Sequence, residues 1–380
     1  MHVISIDWLV WMTSTLALFW IVPARWRHDL LIAITFAFLL YYDRVSAGYL
    51  ILFSLVTYRL TAGDLVSGQR AWVAAGVVLA VLIVYKLLVA NPSFDGIAEA
   101  TIPLGLSYYA FRCIHFVVER YKGTIAHPKP SEYLSYLFFL PTIIVGPIHR
   151  YPAFARDRRR HRWDGAMLSE GLERILYGYV KISVLSNYLV SGLLDRQIKD
   201  IDPIHAALIV YLEIVRDGLN IYLQFSGFSD IAIGFSALLG YRVMENFHWP
   251  YFSKNISIFW QSWHISLSSW CRDYIYTTVF SLTRSPAAGA LATLLVIGLW
   301  HEISVRYLIW GLCHGLALVI WQRFQALKPR LPVVRNSELK IILDTVSILL
   351  TVHFVWLSFT IVRHDSLDEL GAYLAPLFGL

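Results

Sequence analysis

The stretch that decides the fold class is AWVAAGVVLAVLIVYKLLVA, residues Ala71–Ala90, whose one charged residue is Lys86. A helix of about 20 apolar residues crosses a hydrocarbon core of about 30 Å, and this window has that length. Backbone polar groups in lipid must be satisfied within the segment, as they are in a helix. We therefore expect Ala71–Ala90 to be a membrane-spanning helix.

The composition extends this expectation to the whole chain. Of its 380 residues, 57% are hydrophobic and 15% are charged, with a mean hydropathy of +0.56, whereas a soluble domain carries roughly 25% charged residues. The excess apolar surface must face lipid. We expect an all-α, polytopic transmembrane helical bundle with ten to twelve apolar segments, several of them tilted, broken or re-entrant. These segments lie near residues 6–24, 29–42, 47–60, 71–90, 101–118, 133–149, 171–192, 204–240, 256–280, 287–300, 303–321 and 341–361.

The N-terminus and the cysteines narrow the class of protein further. The first residues lack the basic region and the cleavage site of a signal peptide, so Asp7–Pro23 is expected to remain as a first span. Cys113, Cys271 and Cys313 lie in or beside apolar segments and form no CxxC pair. Structural disulfides and a thiolate zinc site are therefore not expected, and we assign no metal ligands.

Much of the net charge of +6 is concentrated in one loop. The loop carries six arginines and two histidines, which are His149, Arg150, Arg156, Arg158, Arg159, Arg160, His161 and Arg162. In a soluble protein such a patch would suggest nucleic acid. In a multi-pass chain it follows the positive-inside rule, which places the loop in the cytoplasm, so we expect no nucleic-acid partner.

The stretch 287–321 is too long for one crossing. At about 1.5 Å per residue it would extend roughly 50 Å as a single helix. Its middle carries the polar run His301-Glu302-Ile303-Ser304-Val305-Arg306. We expect the chain to turn or break there and to place polar groups at a membrane-embedded or interfacial cavity.

Ionisable residues at bilayer depth are costly and are functional candidates for that reason. They concentrate in three clusters, at Gln224–Asn246, Trp260–Tyr276 and Gly298–Gly315. A histidine titrates near neutral pH, so in a dry cavity it can take the proton of a hydroxyl that attacks an activated acyl carbonyl. The sequence has no GxSxG motif, which favours direct acyl transfer over a covalent acyl-enzyme.

Each histidine of these clusters has a structural and a chemical interpretation. His301 borders the polar break and is favoured as the chemical group, whereas His314, between small residues, is expected in an interhelical hydrogen bond. On one continuous helix the two would lie roughly 20 Å apart and could not share a reacting centre. If the stretch around it is a helix, His264 shares a face with Trp260 and Ser268. It is then either a packed interfacial residue or a group that orients His301 or the substrate.

The charged residues of the clusters are expected to be paired. Arg272 and Asp273 are adjacent and suit a structural ion pair, since charges in low dielectric need partners. Asp230 is expected to bond locally, and Glu302 could pair with Arg306. The candidate substrate-binding residues of these clusters are Trp263, Arg272, Asp273 and Trp300.

Several long motifs in a fixed order resemble the membrane-bound O-acyltransferase family. The most similar branch is bacterial and contains the alginate O-acetylation and teichoic acid D-alanyl transfer proteins. The motifs are IPLGLSYYAFRCIHFVVERYKG at 102–123, LPTIIVGPIHRYPAF at 140–154, GFSDIAIGFSALLGYRVMENFHWPY at 227–251, FWQSWHISLSSWCRDYIY at 259–276 and GLWHEISVRYLIWGLCHGLAL at 298–318. HDSLDELGAYLAPLFG at 364–379 also resembles this branch, whereas the first 100 residues match only as hydrophobic spans.

The resemblance implies a ring-like bundle around a central funnel or tunnel. It implies N-terminal transmembrane helices over 1–100 and a catalytic core over 101–380, within a single integrated membrane domain. The family's signature histidine falls on His301 and a second functional histidine on His264, which are our two catalytic candidates. The family motif continues LWHG, but Glu302 replaces the glycine here, which alters charge and backbone freedom beside the expected base. Cys271 stands where phenylalanine is common.

The resemblance also implies an O-acyltransferase of the cytoplasmic (inner) membrane that binds no resident cofactor. Its donor would be a thioester on the cytoplasmic side, either acetyl coenzyme A or an aminoacyl group on a phosphopantetheine acyl carrier protein. The acceptor would be a hydroxyl of an extracytoplasmic polysaccharide, of teichoic acid or of a relay protein such as an exported acyltransferase. The motif at 140–154 favours the teichoic acid branch and the C-terminal motif favours the alginate branch, so acetyl and D-alanyl both remain open.

Two other classes of function fit a membrane protein with buried polar residues. A transporter or flippase for acyl groups or glycans would use broken helices with polar groups near the midplane, although the sequence has no inverted repeat. A non-catalytic scaffold for an exported acyltransferase would use the same clusters structurally.

Overall fold

The computed structural model describes residues 5–89, 105–160, 162–330 and 336–380. Every regular element in these ranges is a helix, and one isolated antiparallel bridge joins Phe247 to Trp263. The predicted all-α class is confirmed. The boundary predicted near residue 100 and His161 of the basic loop lie outside the described residues.

The helices are numbered here in chain order. They are α1 (Ile6–Ile21), α2 (Arg27–Tyr42), α3 (Arg44–Leu60), α4 (Gly68–Val89), α5 (Leu106–Tyr121), α6 (Pro130–Leu137), α7 (Tyr151–Arg160), α8 (Gly165–Tyr179), α9 (Asp195–Lys199), α10 (Ala206–Leu238), α11 (Ile256–Ser262), α12 (Ile265–Cys271), α13 (Thr277–Thr283), α14 (Pro286–His301), α15 (Val305–Leu327), α16 (Ser337–Arg363) and α17 (Leu367–Leu374). The backbone is π-helical over Val180–Leu194 and Arg272–Tyr276.

Three helices of the described residues are long and apolar enough to cross a membrane, and they are Gly68–Leu88, Val305–Arg330 and Ser337–Arg363. Only 22–28% of the most apolar window of each is buried inside the protein, so most of their side chains are at least partly exposed, and lipid can cover that surface. The first of these helices confirms the helix predicted over Ala71–Ala90, apart from Ala90 itself, which is not described, and it has the length and apolar composition of a membrane span. The chain is an integral membrane protein. The predicted total of ten to twelve segments, with re-entrant pieces among them, stays a prediction.

The first of two compact units comprises residues 1–179 and 227–244. Arg112 of α5 is fully buried there and donates to the carbonyl oxygens of Leu137, at 3.2 Å, and Thr142. One turn along the same helix, His115 accepts a hydrogen bond from the backbone N–H of Tyr151 at 3.1 Å. Because buried polar groups need partners, these bonds fix the segment between α6 and α7 against α5.

Asp230 of α10 belongs to the same unit and has the structural role expected of it. Its carboxylate lies 3.1 Å from the guanidinium of Arg174 on α8, and the side chain is 7% exposed. The carboxylate thus pairs with another helix of the unit.

The second unit comprises residues 180–226 and 245–380, and it contains the helical hairpin α14–α15. The break predicted within 287–321 is confirmed, because α14 ends at His301 and α15 begins at Val305. The two helices approach closely at glycines. A Cβ atom on Gly298 would lie 2.3 Å from the carbonyl oxygen of Tyr307, and one on Gly311 would lie 2.6 Å from that of Leu294. The small residues therefore set the separation of the two helices, as is common between membrane helices.

Candidate active site

The stretch expected to be one helix around His264 is two short helices joined by a bend. α11 ends at Ser262, α12 begins at Ile265, and His264 is the N-cap of α12 with φ +45°. The sequence interpretation that placed Trp260 and His264 on one continuous helical face is therefore wrong. The predicted helical spacing holds between His264 and Ser268, because the N–H of Ser268 donates to the carbonyl oxygen of His264 at 2.9 Å. A left-handed backbone costs a non-glycine residue about 1–2 kcal/mol, so surrounding contacts must hold this bend.

Those contacts come from an extended segment 18 residues earlier. The N–H of His248 donates to the carbonyl oxygen of Ser262 at 3.0 Å, and the N–H of Ile265 donates to that of Asn246 at 2.9 Å. The antiparallel bridge between Phe247 and Trp263 lies between these two bonds. Backbone pairing thus places Asn246 beside the His264 side chain.

The His264 imidazole is almost fully enclosed, with 2% of the residue exposed. Its Nδ1 lies 3.0 Å from Oδ1 of Asn246, and its Nε2 is buried without a hydrogen-bond partner among the described residues. The ring of Phe225 meets the imidazole edge to face at 4.7 Å. Burial disfavours a charged imidazolium, so the ring is held neutral.

His301 lies at the C-terminal end of α14 and is exposed. Its ring stacks on Tyr307 at 5.7 Å and meets Trp310 edge to face at 5.9 Å. Both aromatic residues lie in the first two turns of α15, so the hairpin itself positions the imidazole.

Trp300 connects the two histidines that the sequence singled out. Its ring centroid lies 6.2 Å from that of His264 and 4.5 Å from that of His301. The structure therefore brings His264, His301 and Trp300 together within the second unit, although the first two are 37 positions apart in sequence.

His314 lies on α15 in the interhelical hydrogen bond that was predicted for it. The residue is fully buried, and its Nε2 lies 2.8 Å from Oγ of Ser358 on α16. The expected separation of roughly 20 Å from His301 assumed one continuous helix. Because the chain turns between them, the ring of Trp310 contacts both imidazoles, at 5.9 Å and 4.6 Å.

Glu302 pairs with Arg306 across one turn of chain. Nη2 of Arg306 lies 3.1 Å from each carboxylate oxygen of Glu302, and Nε lies 3.2 Å from Oε1. Arg306 also donates to Asp365 at 2.6 Å and to the carbonyl oxygen of His364 at 3.1 Å. Glu302 is thus part of a three-membered ion network with Arg306 and Asp365.

The candidate substrate-binding residues have different surroundings. Arg272 and Asp273 form the ion pair that was expected, with 3.1 Å between nitrogen and oxygen and side chains 64% and 43% exposed. Trp263 is buried and stacks on Phe259 at 5.5 Å, whereas Trp300 is half-buried beside the histidines. Substrate binding by these four residues stays a prediction.

Asn246 is the residue of this site that sequence reasoning did not single out. It was the last residue of a polar cluster and its sequence neighbours gave no sign of its partner. Its proximity to His264 depends on a backbone pairing that has no sequence motif.

Within the described ranges, no group of three histidine, cysteine, aspartate or glutamate residues could hold a metal ion.

The model of the membrane-bound O-acyltransferase family matches residues 49–361. This match covers most of the chain and includes His264, His301 and Asn246. The chain belongs to the membrane-bound O-acyltransferase family.

Individual relatives come from both groups of the branch. The chain is 30% identical over 332 residues to the "Probable alginate O-acetylase AlgI" of Pseudomonas aeruginosa, which covers 80% of this chain and 62% of that protein. With the protein of the same name from Azotobacter vinelandii it shares 28% identity over 330 residues, or 80% of this chain and 65% of the relative. The "Teichoic acid D-alanyltransferase" of Bacillus subtilis is 29% identical over 275 residues, 68% of each chain. This chain thus spans less than two thirds of the length of the two alginate relatives.

Proposed function

We propose that this chain is a multi-pass O-acyltransferase of the cytoplasmic membrane. It moves an acetyl or D-alanyl group from a thioester donor on the cytoplasmic side to a hydroxyl outside the cytoplasm. The acceptor is a polysaccharide, teichoic acid or a relay protein such as an exported acyltransferase. Family membership and the names of the relatives support the reaction class, and both kinds of relative leave the acyl group open.

In the proposed step, the acceptor hydroxyl oxygen bonds to the thioester carbonyl carbon while its proton passes to a ring nitrogen of His301. The carbon–sulfur bond then breaks, and the thiolate takes the proton back from the imidazolium. The products are an oxygen ester and a free thiol, so atoms and charge balance without a metal or redox partner. His264 is the second imidazole of the site and supports the protonated intermediate or the substrate.

The observation that carries this proposal is the meeting of His264 and His301 at one tryptophan ring. His301 is exposed, so a substrate hydroxyl can reach it, and the buried His264 is a second imidazole beside the same tryptophan. In the proposed arrangement, the donor enters a funnel or tunnel from the cytoplasmic side, which is also the side where the basic loop is expected.

The test is acyl transfer by purified protein in lipid vesicles. Radiolabelled acetyl coenzyme A and a D-alanyl thioester of a carrier protein are offered in parallel, with isolated cell-envelope polymer as acceptor. We expect His301→Ala to lower the rate by roughly 10²–10⁴-fold, the usual contribution of a general base, and His264→Ala to lower it as well.

His353→Ala is the matched control, because this histidine lies on α16 and bonds to Tyr211 and Leu349 instead. It should keep its activity. Wild-type transfer by folded His301→Ala protein would remove the proposal, and passage of substrate across the vesicle without any covalent product would favour a transporter. Full envelope acylation in cells that carry a His264/His301 double variant would favour a scaffold.

A further inference from the structure

The hydrogen bonds of Asn246 determine which ring nitrogen of His264 carries the proton. Asn246 is fully buried, and its Oδ1 has three neighbours: Ser266 N at 3.3 Å, Ser266 Oγ at 2.9 Å and His264 Nδ1 at 3.0 Å. A backbone N–H can only donate. The side-chain atom that faces Ser266 must therefore be the carbonyl oxygen of the amide and not its nitrogen.

This assignment fixes the tautomer of the histidine. An amide oxygen only accepts, so Nδ1 of His264 must carry the hydrogen that it donates to Asn246. In a neutral imidazole the other nitrogen then has the free lone pair. That nitrogen is Nε2, which is buried and has no partner in the part of the chain that the structure describes.

We propose that Asn246 is a positioning residue that holds His264 as the Nδ1–H tautomer, so that Nε2 serves as a proton acceptor in the active site. This inference rests on the proposed function, in which His264 belongs to that site. The pairing of 246–248 with 262–265 and the left-handed bend at His264 bring the side chains of Asn246 and His264 together.

A purely structural role is the alternative. Asn246 also accepts from Ser266 N and so caps the start of α12. Loss of that bond would weaken the fold without any effect on the histidine tautomer. The test therefore needs measurements that a structural role would not move.

The first measurement is the pH dependence of acyl transfer by Asn246→Asp protein. Aspartate keeps an acceptor for Nδ1 and for both Ser266 donors, so the fold and the tautomer are preserved. Its negative charge favours the imidazolium, which should move the acid limb of the rate profile upward by roughly 1–3 pH units. Asn255→Asp is the matched control, because Asn255 caps α11 through Ile258 N and aspartate caps equally well. Its profile should not change.

The second measurement is the ¹⁵N spectrum of histidine-labelled protein in detergent micelles, with the His264 signals assigned by their loss in His264→Gln. We expect a protonated Nδ1 and an unprotonated Nε2 in the wild type, and a mixture of tautomers in Asn246→Ala. A protonated Nε2 in the wild type would overturn the proposal, as would an unchanged tautomer in Asn246→Ala or an unmoved profile in Asn246→Asp. The spectrum does not depend on activity, so it tests the tautomer alone. Wild-type acyl transfer by His264→Ala protein is a separate outcome, which would remove His264 from the proposed function.

Discussion

Among single residues, His264 and His314 are both buried imidazoles of the second unit, but their partners give them opposite tautomers. Ser358 Oγ donates its one hydrogen to the carbonyl oxygen of Val355 at 2.7 Å. It can therefore only accept from His314, whose Nε2 must be the protonated nitrogen. The ring N–H of His314 donates to Ser358 and so links α15 to α16, whereas the ring N–H of His264 donates to Asn246.

A serine substitution tests the structural role of His314. Ser358→Ala leaves the Nε2–H of His314 without its acceptor, which should lower the free energy of unfolding by roughly 0.5–2 kcal/mol. Thermal unfolding in detergent, followed by tryptophan fluorescence, measures the loss. Acyl transfer at a temperature where the variant stays folded should be unchanged, and Ser358→Thr should restore the stability. A large loss of transfer at unchanged stability would instead assign His314 to the chemistry.

The sequence predicts contacts of single residues only where they are local. The pairing of Glu302 with Arg306 follows from their spacing of four positions and was expected. The third member of the network, Asp365, lies 59 positions beyond Arg306. Asn246 is likewise remote from His264, so neither could be found from a single chain without the fold.

For the helices, the position of His301 depends on how closely α14 and α15 approach. Gly298 faces the backbone of Tyr307, which is a neighbour that cannot rotate away. A methyl group there must push the helices apart. His301 is three residues from Gly298 and stacks on Tyr307, so the displacement would reach the proposed base directly.

We therefore expect Gly298→Ala to reduce acyl transfer at least tenfold, which corresponds to about 1.4 kcal/mol of lost transition-state stabilisation. Transfer in lipid vesicles is compared with the content of folded protein, measured by size-exclusion chromatography. Gly76→Ala is the matched control, because Gly76 lies on the spanning helix α4 with open space around its Cβ position. It should retain activity, and equal activity of the two variants would show that the glycine contact does not position His301.

The sequence predicts α4 and the break after α14, but it does not predict the bend at His264. α4 follows from one uninterrupted apolar run, and the break after α14 follows from a polar run that cannot continue through lipid. The bend at His264 was missed because WQSWHISLSSW has helical spacing throughout and contains no proline or glycine. It exists because tertiary pairing with 246–248 outweighs the local helical preference.

At the scale of the whole molecule, the distribution of charge predicts the orientation in the membrane. Four arginines lie on α7 and are Arg156, Arg158, Arg159 and Arg160. A cluster of this kind between apolar segments stays on the cytoplasmic side. The proposed reaction needs this orientation, because the thioester donor is cytoplasmic while the acceptor hydroxyl is outside.

A cysteine at an exposed position of this helix tests the orientation. Arg160 is exposed at the end of α7, whereas the native cysteines are less accessible, with Cys113 and Cys271 buried and Cys313 partly buried. In a Cys313→Ala background, Arg160→Cys should react with a membrane-impermeant maleimide in inside-out vesicles and not in intact cells. Detergent-lysed samples show that the cysteine is reactive in both preparations. Labelling in intact cells would place α7 outside the cytoplasm. The orientation that the proposed direction of transfer assumes would then be wrong, even if the chemistry at His301 were right.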